Sequence, residues 1–163
     1  MKNETRVAKC SRMIKQELQE KFPNILFSVN SERFGFGDAV HVFAYIENVE
    51  DFVIEEDIRK YTKKYVYGSF DGMTDHYEVS NLIKDLPQTK YVDVVVEYSP
   101  EVSKKMEEDF NKYWNGKYII SSREAESYHF KGRKVGICEY TSPYGDFDPY
   151  EWYCGYVKEH YSR

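Results

Sequence analysis

The chain has no cysteine framework. Cys10, Cys138 and Cys154 form an odd set with no C-x-x-C pair, which argues against both a zinc knuckle and a disulfide scaffold. Long apolar runs are missing too. Nothing approaches the roughly 20 residues needed to cross a bilayer, and the opening Met1–Arg6 has no apolar signal-peptide core. A cytoplasmic setting with no membrane partner is the expectation. Neither a Gly-x-Ser-x-Gly elbow nor a Walker loop is present, so the chemistries those motifs serve have no local support. There is no internal repeat and no low-complexity segment. Positive charge is in deficit, with 23 Lys and Arg against 28 Asp and Glu and a net charge of −5. Nonspecific nucleic-acid binding is therefore not the default expectation.

What the chain does have is rings. With 17% aromatics (16 Tyr and 10 Phe) and 41% hydrophobic residues, it is a folded chain, because disordered segments are poor in aromatics. Its 163 residues suffice for one compact core or two small subdomains sharing one. Tyrosine suits half-buried strands and contact surfaces, since an apolar ring carries a polar tip. Charge is uneven along the chain. Asp38, Glu47, Glu50, Asp51, Glu55, Glu56 and Asp57 fall in one stretch without Lys or Arg. Residues 1–21 instead carry six basic side chains against three acidic ones.

Periodicity predicts a helix over residues 4–22, with Val7, Ile14, Leu18 and Phe22 on one stripe and Pro23 ending it. Lys9, Arg12 and Lys15 lie off that stripe and form a basic flank, the candidate nucleic-acid contact. Ile25 to Asn30 alternates as a strand. Residues 31–38 are expected to be a hairpin loop, and Val40 to Glu47 a second strand with an aromatic outer face. That face can stack bases or be covered by another segment, and cover is the expectation. A second helix over residues 54–65 opens on Glu55, Glu56 and Asp57 and closes on Arg59, Lys60, Lys63 and Lys64, the charge order its dipole favours. That order weakens any reading of these lysines as a nucleic-acid patch. Tyr91 to Tyr98 is the strongest strand and is expected to be central or covered on both faces. Ser99-Pro100-Glu101 starts a third helix, with Val102, Met106, Phe110 and Tyr113 on one face and Asn115-Gly116 as its stop. Beyond residue 117, a hairpin around Lys131-Gly132-Arg133, a loop over residues 142–149 and a last strand from Glu151 to Val157 are expected. The fold class is α+β: a mixed or antiparallel sheet with about three helices on one side. A domain over residues 1–116 would carry a β-rich, Tyr-rich extension over residues 117–163, packed on it as one unit.

The densest chemistry is Gly68-Ser69-Phe70-Asp71-Gly72-Met73-Thr74-Asp75-His76-Tyr77-Glu78. A metal reading uses Asp71, Asp75, His76 and Glu78, but the spacing lacks the alternating carboxylates of an EF-hand, and one local His does not make a zinc site. No metal and no cofactor is expected. A catalytic reading uses Asp75 and His76 with Tyr77 as orienter, yet adjacent strand residues point apart. A dyad of His with Cys138 or Cys154 has no local support. The favoured reading is a structural turn, with Phe70 and Met73 in the core, Gly72 at positive φ, and Asp71 on turn amides. Asp75 and Tyr77 would complete it. His76 and Glu78, with Glu47, Glu50, Asp51, Glu55, Glu56 and Asp57, are the candidate partner contacts.

Three segments carry a resemblance: Lys21-Phe22-Pro23-Asn24-Ile25-Leu26-Phe27-Ser28-Val29, the Phe-Asp-Gly-Met-x-Asp core with its flanks, and Tyr91 to Glu101 running from strand into Ser-Pro-Glu. Over about residues 4–115 the chain resembles the large polyvalent protein-associated domains, specifically the twenty-ninth of that numbered series. The resemblance implies an α+β domain carried by phages, plasmids and conjugative elements, with no catalytic residues to transfer. An accessory protein that binds a host or element-encoded protein is the expectation, the target being a defence nuclease, a CRISPR effector or another nucleic-acid-processing complex. A nucleic-acid-binding module using Lys9, Arg12 and Lys15 is the alternative, and a metal-dependent enzyme centred on the Asp-Gly motif the second.

Overall fold

A computed structural model describes residues 3–142 and 145–161. Contacts divide the chain into two compact units, residues 1–44 with 55–95, and residues 45–54 with 96–163. The division expected at residue 116 falls inside the second unit. The α+β class holds: among the described residues there are four α-helices together with small sheets. No described helix is long and apolar enough to cross a membrane.

In the first unit, α1 (Arg6–Lys21) starts where the Thr5 hydroxyl accepts the Ala8 amide. It buries Val7, Cys10, Ile14 and Leu18, which recur at helical spacing. This face packs on β1 (Leu26–Phe34). Only Gly35 and Phe36 separate β1 from β2 (Gly37–Ile46). The long loop expected over residues 31–38 is therefore mostly strand, a tight two-residue connection being what a twisted hairpin favours. In β2, Val40, Val42, Ala44 and Ile46 are all fully buried, the alternation expected of them. Helix α2 (Glu55–Thr62) continues into a single 3₁₀ turn over Lys63–Tyr65. It is tied to α1 by Glu17, which takes the Lys64 ammonium at 2.8 Å and the Tyr65 hydroxyl at 2.7 Å. Strand β5 (Tyr91–Tyr98) has the expected bounds but not the expected place. The sheet order is β1-β2-β5, so β2 is central and β5 is an edge. A run of valines measures β propensity and burial together, and it does not say which strand lies in the middle.

Asp38, at the start of β2, is nearly buried and holds this unit's parts together. Its carboxylate accepts from the Arg6 guanidinium at 3.1 Å, the buried Thr89 hydroxyl at 2.9 Å and the Lys90 amide at 2.9 Å. Burial pushes this carboxyl up, but the Lys90 amide, the Thr89 hydroxyl and Arg6 together outweigh it and hold the pKa below the ordinary carboxylate value. A carboxyl depressed in the folded state adds stability that is present above its unfolded pKa of about 3.9 and fades as pH falls through the lower folded value. Asp38→Asn replaces charge-assisted bonds with neutral ones. It is expected to cost about 1–2 kcal/mol at neutral pH and to converge with wild type in strong acid. Urea midpoints measured across the acid range check this, and parallel curves at all pH values would refute it.

In the second unit, the Ser99 hydroxyl caps α3 (Pro100–Tyr113), accepting the Val102 amide. Val102, Met106 and Phe110 are buried as expected, whereas Tyr113 is exposed. Asn115 and Gly116 take positive φ, 49° and 76°, and end the helix. Helix α3 packs on the antiparallel hairpin β6 (Ser121–Glu126) and β7 (Lys134–Glu139). The hairpin expected around Lys131-Gly132-Arg133 is present, with its first strand ending at Glu126. The connection holds Gly132 at φ 79°. Short strands β8 (Thr141–Ser142) and β9 (Gly145–Asp146) pair antiparallel. Pro143 and Tyr144, within the loop expected over residues 142–149, lie outside the described residues. The strand expected from Glu151 to Val157 is instead helix α4 (Pro149–Tyr161). Asp148 Oδ1 accepts the amides of Tyr150 and Glu151, and Pro149 fills the first helical position. Aromatic and β-branched residues suggest strand, but the cap and the spacing of Tyr150, Tyr153, Cys154 and Val157 decide for helix.

Candidate functional site

The Asp-Gly segment is a two-stranded ribbon, β3 (Gly68–Asp71) paired with β4 (His76–Val79), with Phe70 opposite Tyr77 and Asp71 opposite His76. Alternation places Gly68, Phe70, Tyr77 and Val79 on one face and Ser69, Asp71, His76 and Glu78 on the other. Gly68 is required there. A Cβ at that position would overlap the Glu78 carbonyl and come within 2.6 Å of the Tyr77 ring. Tyr77 anchors the ribbon: its hydroxyl donates to the Lys90 carbonyl at 2.8 Å, and its ring meets Tyr67 and Tyr91 edge-on. Burial pushes its phenol up to about 12, so it stays a donor.

At the tip, Asp71 accepts the Met73 amide and the Thr74 hydroxyl, both at 2.9 Å. The Met73 amide, then the Thr74 hydroxyl, hold its carboxyl below the usual range. The expected Asp71 turn bonds are present. Positive φ belongs to Asp75, at 53°, rather than to Gly72, because Asp tolerates the left-handed region. Phe70 and Met73 are not in the core: they are 53% and 96% exposed. A ribbon four residues long buries only the side chain that anchors it, and Tyr77 occupies that place.

From Ser69 to Asp85, every residue except Tyr77 is exposed. Val79, Leu82 and Ile83 join Phe70 and Met73 as exposed apolar side chains. Sequence reasoning missed Leu82 and Ile83, which carry no motif. The base of this segment is nevertheless pinned. The buried Gln88 amide accepts the Ile83 amide and donates to the carbonyls of Lys64 and Asn81, at 3.0, 2.8 and 2.7 Å. Asn81 Nδ2 donates to the Val66 carbonyl. The same segment carries Asp71, Asp75, Glu78 and Asp85, against Lys84 alone. The arrangement can bury apolar area and offer carboxylates to a basic rim.

The other expected contacts are dispersed. Glu47, Glu50 and Asp51 belong to the second unit and Glu55, Glu56 and Asp57 to the first. Glu47 pairs with Arg133, Glu55 with Arg59 and Asp57 with Lys60, so much of that negative charge is answered locally. On α1, Lys9, Arg12 and Lys15 are all exposed, but Arg12 is held by both oxygens of Glu4 at 3.1 and 3.0 Å. The outward Tyr45 is covered, its hydroxyl donating to the Lys134 carbonyl and its ring meeting Phe130. Arg59, Lys60, Lys63 and Lys64 line a groove of about 830 Å³, yet Arg59, Lys60 and Lys64 are already paired with carboxylates. All three cysteines are buried and none is in a disulfide. Burial pushes the Cys10 and Cys138 thiols up to about 12, which disfavours the thiolate a nucleophile needs. Among the described residues, no three His, Cys, Asp or Glu side chains are placed to hold a metal ion.

The family model for large polyvalent protein associated domain 29 matches residues 5–140. The match extends past the resemblance over residues 4–115 to include the β6–β7 hairpin. A search of the curated proteins finds no match, and neither does a search of the solved structures.

Proposed function

Because the chain belongs to the large polyvalent protein associated domain 29 family, associated with polyvalent proteins of mobile elements, we propose that it is an accessory protein acting through its β3–β4 ribbon as a protein-docking element. The observation that carries this reading is the exposure of Phe70, Met73, Val79, Leu82 and Ile83 on a segment pinned at its base. Exposed apolar clusters rimmed by polar residues mark interaction sites, and an aromatic with a flexible methionine suits a partner's pocket. The carboxylates of the same segment favour a partner with a basic surface. A nucleic-acid-processing protein of the host, such as a defence nuclease or CRISPR effector, has such a surface, and its inhibition is the activity proposed.

A photo-crosslinking residue at position 73 is expected to capture one defined host protein that the same residue at position 131 does not. The double variant Phe70→Ala, Met73→Ala is expected to weaken that complex by about 30-fold or more, the scale of two hot-spot side chains, at an unchanged melting temperature. An equal yield from both crosslinking positions would overturn the reading. So would saturable oligonucleotide binding at low salt that survives the double variant, because it would return the site to nucleic acid.

A further inference from the structure

Helix α4 has a second face that its core packing uses only in part, through Trp152 and Tyr156. Tyr153 and Cys154 are buried, while Glu151, Gly155 and Glu159 are exposed and Trp152 and Tyr156 half-buried. Residues 148, 151, 152, 155, 156 and 159 recur at helical spacing. With Tyr113 of α3 and Phe147 they line an open pocket of about 540 Å³. Its ring wall is partly self-stacked, with His160 against Tyr156 at 4.3 Å and edge-on to Tyr113. Trp152 and Tyr156 lie nearly parallel with centroids 5.2 Å apart, and Tyr113 stands edge-on to them at 5.5 and 5.9 Å. Three carboxylates line the same pocket, Asp148, Glu151 and Glu159, and among the described residues no Lys or Arg does.

Two independent features therefore select one kind of ligand. Aromatic faces carry negative quadrupole potential and attract cations. The carboxylates repel anions and add nothing for a neutral apolar molecule. A small hard metal ion would need a close set of oxygens, and no such set exists among the described residues. A weakly hydrated organic cation gains from both the rings and the carboxylates, because its apolar body lies on the rings while its charge faces oxygen. We propose that this pocket binds an organic cation, the guanidinium or alkylammonium head of a partner's side chain or of a free amine.

The test uses the full chain, with the Trp152 indole resonance followed by NMR. Choline, its neutral carbon isostere dimethylbutanol, and acetyl-arginine amide are the probes. Choline, acetyl-arginine amide or both are expected to saturate with Kd on the order of 1 mM, and the isostere to bind about tenfold more weakly or worse. If only the arginine derivative binds, the cation is a partner's side chain; binding of choline brings in free amines. The double variant Glu151→Gln, Glu159→Gln is expected to lose about tenfold in affinity, with the Asp148 cap untouched. Gly155→Leu provides the fold-neutral block. A Cβ at Gly155 meets nothing within 4 Å, and leucine is a better helix former than glycine, so binding should vanish with no fall in melting temperature. Equal affinity for the isostere, retained affinity in Gly155→Leu, or no saturation by any cation at about 50 mM, some fifty times the expected Kd, would overturn the proposal.

Discussion

Gly136→Ala is expected to lower the stability of the second unit by about 3 kcal/mol, the upper part of the usual overpacking range. Gly136 of β7 is buried against α3, and a Cβ there would overlap Oγ and Cβ of Ser103 and come within 3.0 Å of the Pro100 Cα. None of these is the far end of a flexible side chain, so strand and helix must separate. Separation also breaks a buried chain of polar contacts. Ser103 Oγ lies 2.8 Å from the Tyr150 hydroxyl, which donates to the Gly136 carbonyl at 2.9 Å and accepts the Cys138 amide at 3.2 Å. Burial pushes the Tyr150 phenol up, so it remains a donor and its loss leaves buried groups unsatisfied. Ser103→Gly removes the overlapping atoms at a helix-propensity cost of about 1 kcal/mol. The double variant is therefore expected to be more stable than the sum of the single changes predicts. Denaturation of the four proteins checks this. A Gly136→Ala protein melting with wild type would contradict the close strand–helix approach.

Phe110→Ala is expected to cost about 3–5 kcal/mol. Phe110 is almost fully buried at the centre of the second unit's core. Its ring contacts Trp152 at 4.9 Å, Tyr140 and Phe147 at 5.9 Å, and Trp114 at 6.2 Å. Truncation removes the transfer free energy of the ring and the edge-to-face contacts, and leaves a cavity whose rigid aromatic walls collapse poorly. Near-ultraviolet circular dichroism and urea unfolding report the loss. Phe36→Ala is the control. The same side chain 91% exposed is expected to change stability by less than about 0.5 kcal/mol, and similar losses at both positions would sink the assignment of the core.

Helices α1, α2 and α3 were legible because local rules mark both pattern and ends. Val7, Ile14 and Leu18 recur at helical spacing, Ser99-Pro100 caps and starts a helix, and Asn115-Gly116 stops one. Strand β5 was legible in extent and illegible in place. Local pattern records how much of a strand is apolar, whereas position in a sheet depends on segments far away in the chain. Helix α4 carries a strand-like pattern because residues 151–157 hold ring-bearing residues that suit either element. The decisive marks, the Asp148 cap and the Pro149 start, were absorbed into the expected loop.

The candidate site was legible as chemistry and misjudged as burial. Asp71 holds the turn as its position in the motif implies, but the apolar Phe70 and Met73 suggest core side chains, and Leu82 and Ile83 carry no mark of their exposure. Whether an apolar residue is buried depends on whether some distant segment covers it. Here Tyr77, held by the Lys90 carbonyl, is the side chain that gets that cover.

By itself, the sequence determined the α+β class, the family, the helix ends and the Asp71 turn, since each rests on spacing or on bonds between near neighbours. Tertiary structure alone decided that β2 is central, that α4 is a helix with an acidic aromatic face, and that the Asp-Gly ribbon presents its apolar residues to solvent. Those outcomes depend on which distant surfaces meet, and contacts between residues far apart in the chain leave no periodic trace in it.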